Sequence, residues 1–533
     1  MFGFIDFDFI TESLLADQSD IIVSNQFTMG ESNYDVIIIP ECKTIRRTTL
    51  AHLTSFVAGG GKVVFMGDVP THVDALPSTE VAGLAKMCES IPFSQTDLLE
   101  KMETVRTVDI LHSNGVRADN YIYQMRDCGD EKWLFIANGK EVLAPDVTLP
   151  KTIKIIVEGN YSVKLYDTLS GKIRALPTKW KDGKTEISFT FYPHDSLLLH
   201  YASESSFLVE AAEEVETFEA KKEYIPSSVV RGAYPITLSE PNVLLLDQAE
   251  YAINDEKWQA LEEVLKVDNI LREKLKYPLK MDGYAQPWTN EEKVSGKENT
   301  LRLKYVVSSK IDVVGAKLAV ECPSNMEITF NGVFVSNESD GWYTDQCIRT
   351  VPMPLIPVGD NILEITMGYN RWTNLEWAYL LGDFGVEVHG DSATIIGPVR
   401  KLSFGDWTHQ GLPFYGGNVT YHCEVDLEKD NYELEINKYR APLLSVKLNG
   451  VEKGKIIFAP YKLPLGNLSG LNVIDITVFG NRINSFGPLH NCDDNTEWYG
   501  PSSWRTEGAS YSYEYQFKKC GILSAPRLNI LKK

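Results

Sequence analysis

Gly359-Asp-Asn-Ile-Leu-Glu-Ile-Thr366 and Gly470-Leu-Asn-Val-Ile-Asp-Ile-Thr477 match at an offset of 111 residues, and both reach an Asn-Arg pair at the same distance, Asn370-Arg371 and Asn481-Arg482. In each, a Gly-x-Asn turn opens a strand whose Ile and Leu side chains face a core. Upstream lies an Asn-Gly dipeptide inside a strand pair, Asn331-Gly332 after Ile-Thr-Phe and Asn449-Gly450 after Val-Lys-Leu. That dipeptide suits a two-residue hairpin turn, because both central residues need positive φ. The Asn-Gly pairs are 118 residues apart, so the loops between the motifs differ by seven. A period above 100 residues is too long for a solenoid, and the reading is a duplicated β-sandwich over 295–392 and 400–526.

Outward from the repeat, the 533-residue chain has room for several further domains. Tyr34-Asp-Val-Ile-Ile-Ile-Pro40 reads as a fully buried parallel strand, Thr48 to Val57 as a helix, and Gly59-Gly-Gly-Lys-Val-Val-Phe-Met-Gly67 as a turn and second strand. Strand, helix, strand predicts an open α/β domain over 1–112. The triple glycine follows the helix instead of preceding one, so it does not aim helix N–H groups at a phosphate. Cys42 lies just past the first strand without the glycine elbow of a nucleophile, and no catalysis is expected there. Short alternating segments then predict a small β-sandwich over 113–205, and 206–294 reads as linker and connector. The fold class is multidomain and mainly β.

A formal charge of −21, from 52 basic and 73 acidic residues, argues against nucleic acid or an anionic membrane as partner. The apolar runs are strand-sized, far below a bilayer span. The start, Met-Phe-Gly-Phe-Ile-Asp-Phe-Asp, has no basic segment ahead of an apolar one, so a cytoplasmic location is expected. Eight scattered cysteines without Cys-x-x-Cys spacing fit reduced thiols.

Aromatic residues make up 11% of the chain, many in Gly-, Asn- and Pro-rich loops of its second half. That bias suits flat ligands with CH-rich faces, and equally aromatic plugs that close sandwich ends. Asn370, Arg371 and Trp372, with Trp377, form one candidate sugar-binding set; Asn481, Arg482 and Asn484, with Trp498, Tyr499, Trp504 and Arg505, form another. Their amides and guanidinium groups could donate to sugar hydroxyls or stitch loops to backbone carbonyls. Candidate catalytic carboxylates are Asp493, Asp494 and Glu497, then Glu376. Asp493 and Asp494 could also ligate a structural calcium, or form a solvated acidic loop.

Asp406-Trp407, Gln410-Gly-Leu-Pro-Phe-Tyr-Gly-Gly417 and Val419-Thr-Tyr421 resemble the opening strands of the galactose-binding-like, sugar-binding domain of family 2-type glycoside hydrolases. Asn481-Arg-Ile-Asn-Ser-Phe-Gly-Pro-Leu-His490, Trp504-Arg-Thr506 and Tyr513 to Leu523 resemble the C-terminus of large bacterial glycoside hydrolases grouped with the family 106 α-L-rhamnosidases. The resemblance implies a catalytically silent, amidotransferase-like α/β domain followed by jelly-roll sandwiches. In such enzymes the catalytic carboxylates sit on a (β/α)₈ barrel, and no eightfold pattern exists here. The resemblance therefore implies a non-catalytic, carbohydrate-binding or scaffolding region, with an oligo- or polysaccharide and a barrel domain or subunit as partners. The alternative is a glycoside hydrolase, active alone or with a separately encoded barrel. No cofactor is expected beyond the calcium.

Overall fold

The computed structural model describes residues 4–139, 146, 149–203, 216–217, 223–280, 298–495 and 506–532. It is mainly β and divides into two compact units, residues 1–221 with the short stretch 458–460, and the remainder of 222–533. Among the described residues, no helix is long and apolar enough to cross a membrane. All eight cysteines are free.

In the first unit, three parallel strands run in the order Val36–Pro40, Lys62–Met66, Glu89–Ile91. Leu50, Leu53 and Phe56 of the helix Arg47–Ala58 pack with Val63 and Phe65, while Leu98 and Met102 of the helix Gln95–Met102 pack with Val64. Alternate residues of the middle strand thus feed two cores, as expected of a sheet covered on both faces. Val36–Pro40 is half-buried, not fully buried, because it is an edge strand. A Cβ on Gly61 would stand 2.2 Å from the Phe56 ring, so this glycine serves helix–strand packing. Burial, then the nearby Glu12, raises the Cys42 pKa, the opposite of nucleophile activation.

The remainder of the unit is a sandwich. A six-stranded sheet containing Tyr121–Cys128, Glu131–Asn138 and Ser196–Ala202 shares one core with a four-stranded sheet containing Lys184–Phe191 and Lys151–Glu158. Val108–His112 pairs with Lys151–Glu158, so this strand, expected in the α/β domain, belongs to the sandwich.

Residues 224–275, expected as connector, are built into the second unit. Asn242–Leu246 pairs with Ala378–Gly382, and Gln248–Ile253 pairs with Asn299–Ser309. The continuous apolar run Val243 to Leu246 is buried on both faces, which hid the alternation that marks most strands. A five-stranded sheet centred on Lys317–Glu321 packs through Leu318 and Leu380 against a larger sheet centred on Asn299–Ser309 and Gly359–Tyr369, through Leu303 and Ile365.

The second repeat is built differently. Two 17-residue strands, Val419–Glu435 and Lys462–Val478, run antiparallel with register shifts at Leu427/Asp430 and Tyr432/Glu433. Such irregularities bend a strand, and one long sheet curls over a core of Trp407, Tyr421, Leu434 and Ile476. Arg527–Leu531, just past the expected range, pairs with Val419–Glu435, and Tyr224–Val229, from the expected connector, pairs with Arg527–Leu531, so both extend the sheet.

The repeated motif is an asparagine lock. Asn331 and Gly332 have φ of 50° and 77°, and Asn449 and Gly450 have 50° and 81°. Asn331 Nδ2 donates to Asn361 Oδ1 at 2.8 Å, and Asn331 Oδ1 accepts the Ile362 N–H at 2.8 Å. In the second copy, Asn449 Nδ2 donates to Asn472 Oδ1 at 3.0 Å and Asn449 Oδ1 accepts the Val473 N–H at 2.8 Å. Buried Asn361 also donates to the carbonyls of Val307, Pro357 and Gly359. The lock ties each hairpin turn to the start of the neighbouring central strand. Asn361→Ala strands these carbonyls and the Asn331 amide, and is expected to cost about 2–3 kcal/mol. Asn331→Gly, which keeps the turn, is expected to cost about 1 kcal/mol. Urea unfolding of the intact chain measures both.

Candidate functional site

Within the second unit, a cleft of about 890 Å³ opens between the two repeats. Its wall includes Glu240, Lys317, Trp342, Tyr343, Asp383, Arg400 and Arg482. The volume is that of a small-molecule or oligosaccharide site.

Among the described residues, Arg482 is the one sequence-selected residue that lines it. Its Nη2 donates to Glu240 Oε2 at 2.8 Å, its Nη1 bonds the other Glu240 oxygen, and Nη1 also donates to the Tyr343 hydroxyl at 3.2 Å. Burial alone would lower its pKa, but the Glu240 bonds and Tyr343 outweigh that and hold it above the usual value. The pair fits because two glycines stand beside it. A Cβ on Gly416 would come within 2.6 Å of Arg482 Cδ, and one on Gly417 within 2.5 Å of Glu240 Cγ. Tyr415 accepts the Ser239 N–H through its hydroxyl at 3.0 Å and donates to the Asn418 carbonyl, fixing the strand end that carries Glu240.

In the same lining, Trp342 is 54% exposed and its side chain forms no hydrogen bond among the described residues. Its strand, Gly341–Tyr343, ends at Thr344 with φ 61°, a left-handed conformation that is strained for a β-branched residue. Arg400 pairs with Asp383 and Lys317 pairs with Asp340. Each wall cation therefore has an acidic partner, and the cleft offers balanced donors and acceptors beside one bare indole face.

The other selected residues that are described lie outside this lining. Asn370 Oδ1 accepts the Trp372 N–H at 2.8 Å and Asn481 Oδ1 accepts the Ile483 N–H at 3.0 Å, so both asparagines close local turns. The Arg371 guanidinium lies 4.5 Å from the Trp372 ring. Asn484 is buried and bonds both the N–H and the carbonyl of Lys518. Trp377 is a core residue, not an open platform, and its indole donates to Glu263 Oε1 at 2.5 Å. Glu376 faces Lys280 at 3.7 Å. Asp493 Oδ1 accepts the Asn495 N–H, and Asp494, paired with Lys518 at 2.7 Å, has a carboxyl pKa below the usual range. No group of three potential metal-ligating side chains occurs among the described residues. Glu497, Trp498, Tyr499, Trp504 and Arg505 lie outside the described residues. Sequence reading missed Glu240, Trp342, Asp383 and Arg400, which no motif marks; Gly416-Gly417 was the available signal.

A buried acidic cluster lies elsewhere in the unit. Asp247 accepts from Tyr515 at 2.7 Å and faces His490 Nε2 at 2.8 Å, while His490 Nδ1 lies 2.8 Å from the Ser512 carbonyl. A carbonyl and a carboxylate both accept, so both ring nitrogens carry protons and the pair is ionic. Burial opposes this charge, but Asp247 overrides it and raises the His490 pKa. Nearby Glu263 is pushed up to about 6, chiefly by burial. His490→Leu leaves Asp247 buried without its counter-charge and is expected to cost about 3–5 kcal/mol. The sign of the pH effect follows from the raised value: His490 stabilises fully below about pH 6.5, its unfolded pKa, and that contribution fades as pH rises through the folded value. Thermal melts of the wild type and the variant above pH 6.5 measure the difference.

No family model matches the chain, and no curated protein matches it in sequence. Among solved structures, it is similar to a rhamnosidase from Novosphingobium sp. PP1Y at 11% identity and a TM-score of 0.43, over 95% of this chain and 34% of that one. An exo-carrageenase from Bacteroides ovatus matches at 13% identity and 0.24, over 38% of this chain and 25% of that one. An α-L-rhamnosidase from Streptomyces avermitilis, solved with L-rhamnose, matches at 11% identity and 0.17, over 79% and 35%. The chain thus spans about a third of the length of the two rhamnosidases.

Proposed function

We propose that this chain is a carbohydrate-binding region of a larger carbohydrate-active protein, and that an oligosaccharide binds in the cleft between the two repeats. The observation that carries this reading is Trp342, an exposed aromatic residue in a cleft that charge-balanced donors and acceptors also line. A sugar offers CH groups on one face and hydroxyls around its edge, and this arrangement matches both. Because each cation in the wall is paired, a neutral glycan suits it better than a polyanion. In this reading the repeats are galactose-binding-like modules, the α/β part is a silent amidotransferase-like domain, and glycosidic cleavage resides on a separate barrel domain or subunit.

A second reading, a glycoside hydrolase acting through this cleft, draws on Glu240 and Asp383, two carboxylates in one lining. Against it, both are engaged by arginines, whereas a general acid needs a setting that keeps it protonated.

Isothermal titration of the intact chain with a panel of neutral oligosaccharides tests the proposal. Trp342→Ala is expected to weaken binding about tenfold or more, in line with a lost stacking contact of about 1–2 kcal/mol. Asn370→Ala, remote from the lining, is expected to leave it unchanged. Binding that ignores Trp342 would defeat the reading, and release of nitrophenol from aryl glycosides, abolished by Glu240→Gln, would establish the second.

A further inference from the structure

Three polar side chains on the second repeat form a directed chain. Thr237 Oγ1 lies 2.8 Å from His422 Nε2, and His422 Nδ1 lies 2.7 Å from Asp475 Oδ1. They come from three adjacent strands, Ala233–Leu238, Val419–Glu435 and Lys462–Val478. His422 and Asp475 are direct cross-strand partners, and Thr237 pairs with Thr420, two residues before the histidine on the same face. The carboxylate can only accept, so Nδ1 carries the ring proton. That leaves the Nε2 lone pair to accept from the threonine hydroxyl. Nucleophile, base and orienting carboxylate then stand in the order and at the separations that nucleophilic acyl transfer requires.

Placement separates this row from an ordinary polar sheet face. Thr237 is exposed and lines the cleft. The His422 side chain is 37% exposed, while that of Asp475 is 21% exposed, so the base is reachable and its orienting group is more sheltered. Arg400 shares the cleft lining, and its backbone carbonyl accepts the Ile236 N–H next to Thr237, which fixes the strand that carries the nucleophile.

We propose that Thr237, His422 and Asp475 form an esterase site acting on carboxylate esters of sugar hydroxyls, such as O-acetyl groups on a glycan held in the cleft. The ligand class rests on the proposed glycan binding; the chemistry rests on the triad. Thr237 Oγ1 bonds to the acyl carbon while His422 Nε2 takes its proton. The sugar oxygen then leaves with that proton. Water, deprotonated by the same nitrogen, attacks the threonyl ester; the bond to Thr237 Oγ1 breaks and His422 returns the proton to that oxygen, so one ester and one water become one acid and one alcohol. Thr237 and His422 are catalytic residues in this scheme, and Asp475 is a positioning residue.

Hydrolysis of p-nitrophenyl acetate by the intact chain provides the test, with an O-acetylated oligosaccharide as second substrate. Thr237→Ala and His422→Ala are expected to lower kcat/KM by about 10²-fold or more, and Thr237→Ser to retain turnover. Asp475→Asn is expected to lower kcat with little change in KM, a split that a merely structural role would not produce. Mass spectrometry after rapid acid quenching is expected to find an acyl adduct on Thr237. Absence of turnover in the wild type, or turnover that survives Thr237→Ala, overturns the proposal. Titration of Thr237→Ala with a non-acylated glycan keeps the two readings apart: retained binding with lost hydrolysis supports both, whereas hydrolysis of the aryl ester without any glycan binding overturns only the sugar assignment.

Discussion

The second unit depends on a buried ion pair that joins residues 243 positions apart in the chain, Asp247 and His490. Asp247 follows the first strand of one repeat, and His490 belongs to the segment that leaves the last long strand of the other. Tyr515 donates to the same carboxylate, so the tail is pinned twice. Asn242 adds a second tie: its buried Nδ2 donates both to Phe384 at 2.8 Å and to Gly411 at 2.9 Å, carbonyls on either side of the boundary between the repeats. Phe486 lies 5.0 Å from Tyr379 and 6.0 Å from Tyr343 by ring centroid, filling the seam with apolar surface. Ionic, hydrogen-bonded and aromatic contacts together hold the two repeats at one spacing. The cleft is the part of the seam that they leave open.

Its walls are therefore set by packing at a distance. Arg482 reaches Glu240 across 242 residues of chain, and it can do so because Gly416 and Gly417 remove the two Cβ atoms that would stand in the way. In the same lining, the strain at Thr344 is carried by a short strand whose partner, Asp345–Pro352, is itself paired to the central Lys317–Glu321 strand. A sheet of that kind tolerates a local conformation costing of order 1–3 kcal/mol because its neighbours over-determine it. The result is an exposed indole with no hydrogen-bond partner among the described residues.

The row of Thr237, His422 and Asp475 shows the same economy. Each residue occupies a solvent-side position of a strand, where alternation requires a polar group in any case. What changes its chemical meaning is register. Pairing of His422 with Asp475 orients the imidazole, and the short strand bearing Thr237 lies alongside at the edge of the cleft. A slip of one residue in any one of these strands would send its member of the row to the opposite face.

Much of the architecture was legible from local pattern. The strand–helix–strand unit near the start, the alternation that builds the small sandwich and the duplicated Asn-Gly and Gly-x-Asn turns are all encoded within a few residues of where they act. The Asn331–Asn361 and Asn449–Asn472 locks explain why the duplication was visible at all: each copy needs the same two amides at the same turn. The connector reading failed because Val243 to Leu246 is buried on both faces and shows no period. Trp377 misled for a related reason, since sequence does not distinguish an aromatic that stands in a loop from one that plugs a core and donates to a buried Glu263. Short-range chemistry, the turns, periods and glycine positions, was thus determined by the sequence itself. Which side chains meet across more than two hundred residues, Arg482 with Glu240, Asp247 with His490, and Thr237 with His422 across 185, was decided only by tertiary structure, because strand order and register carry no local signature.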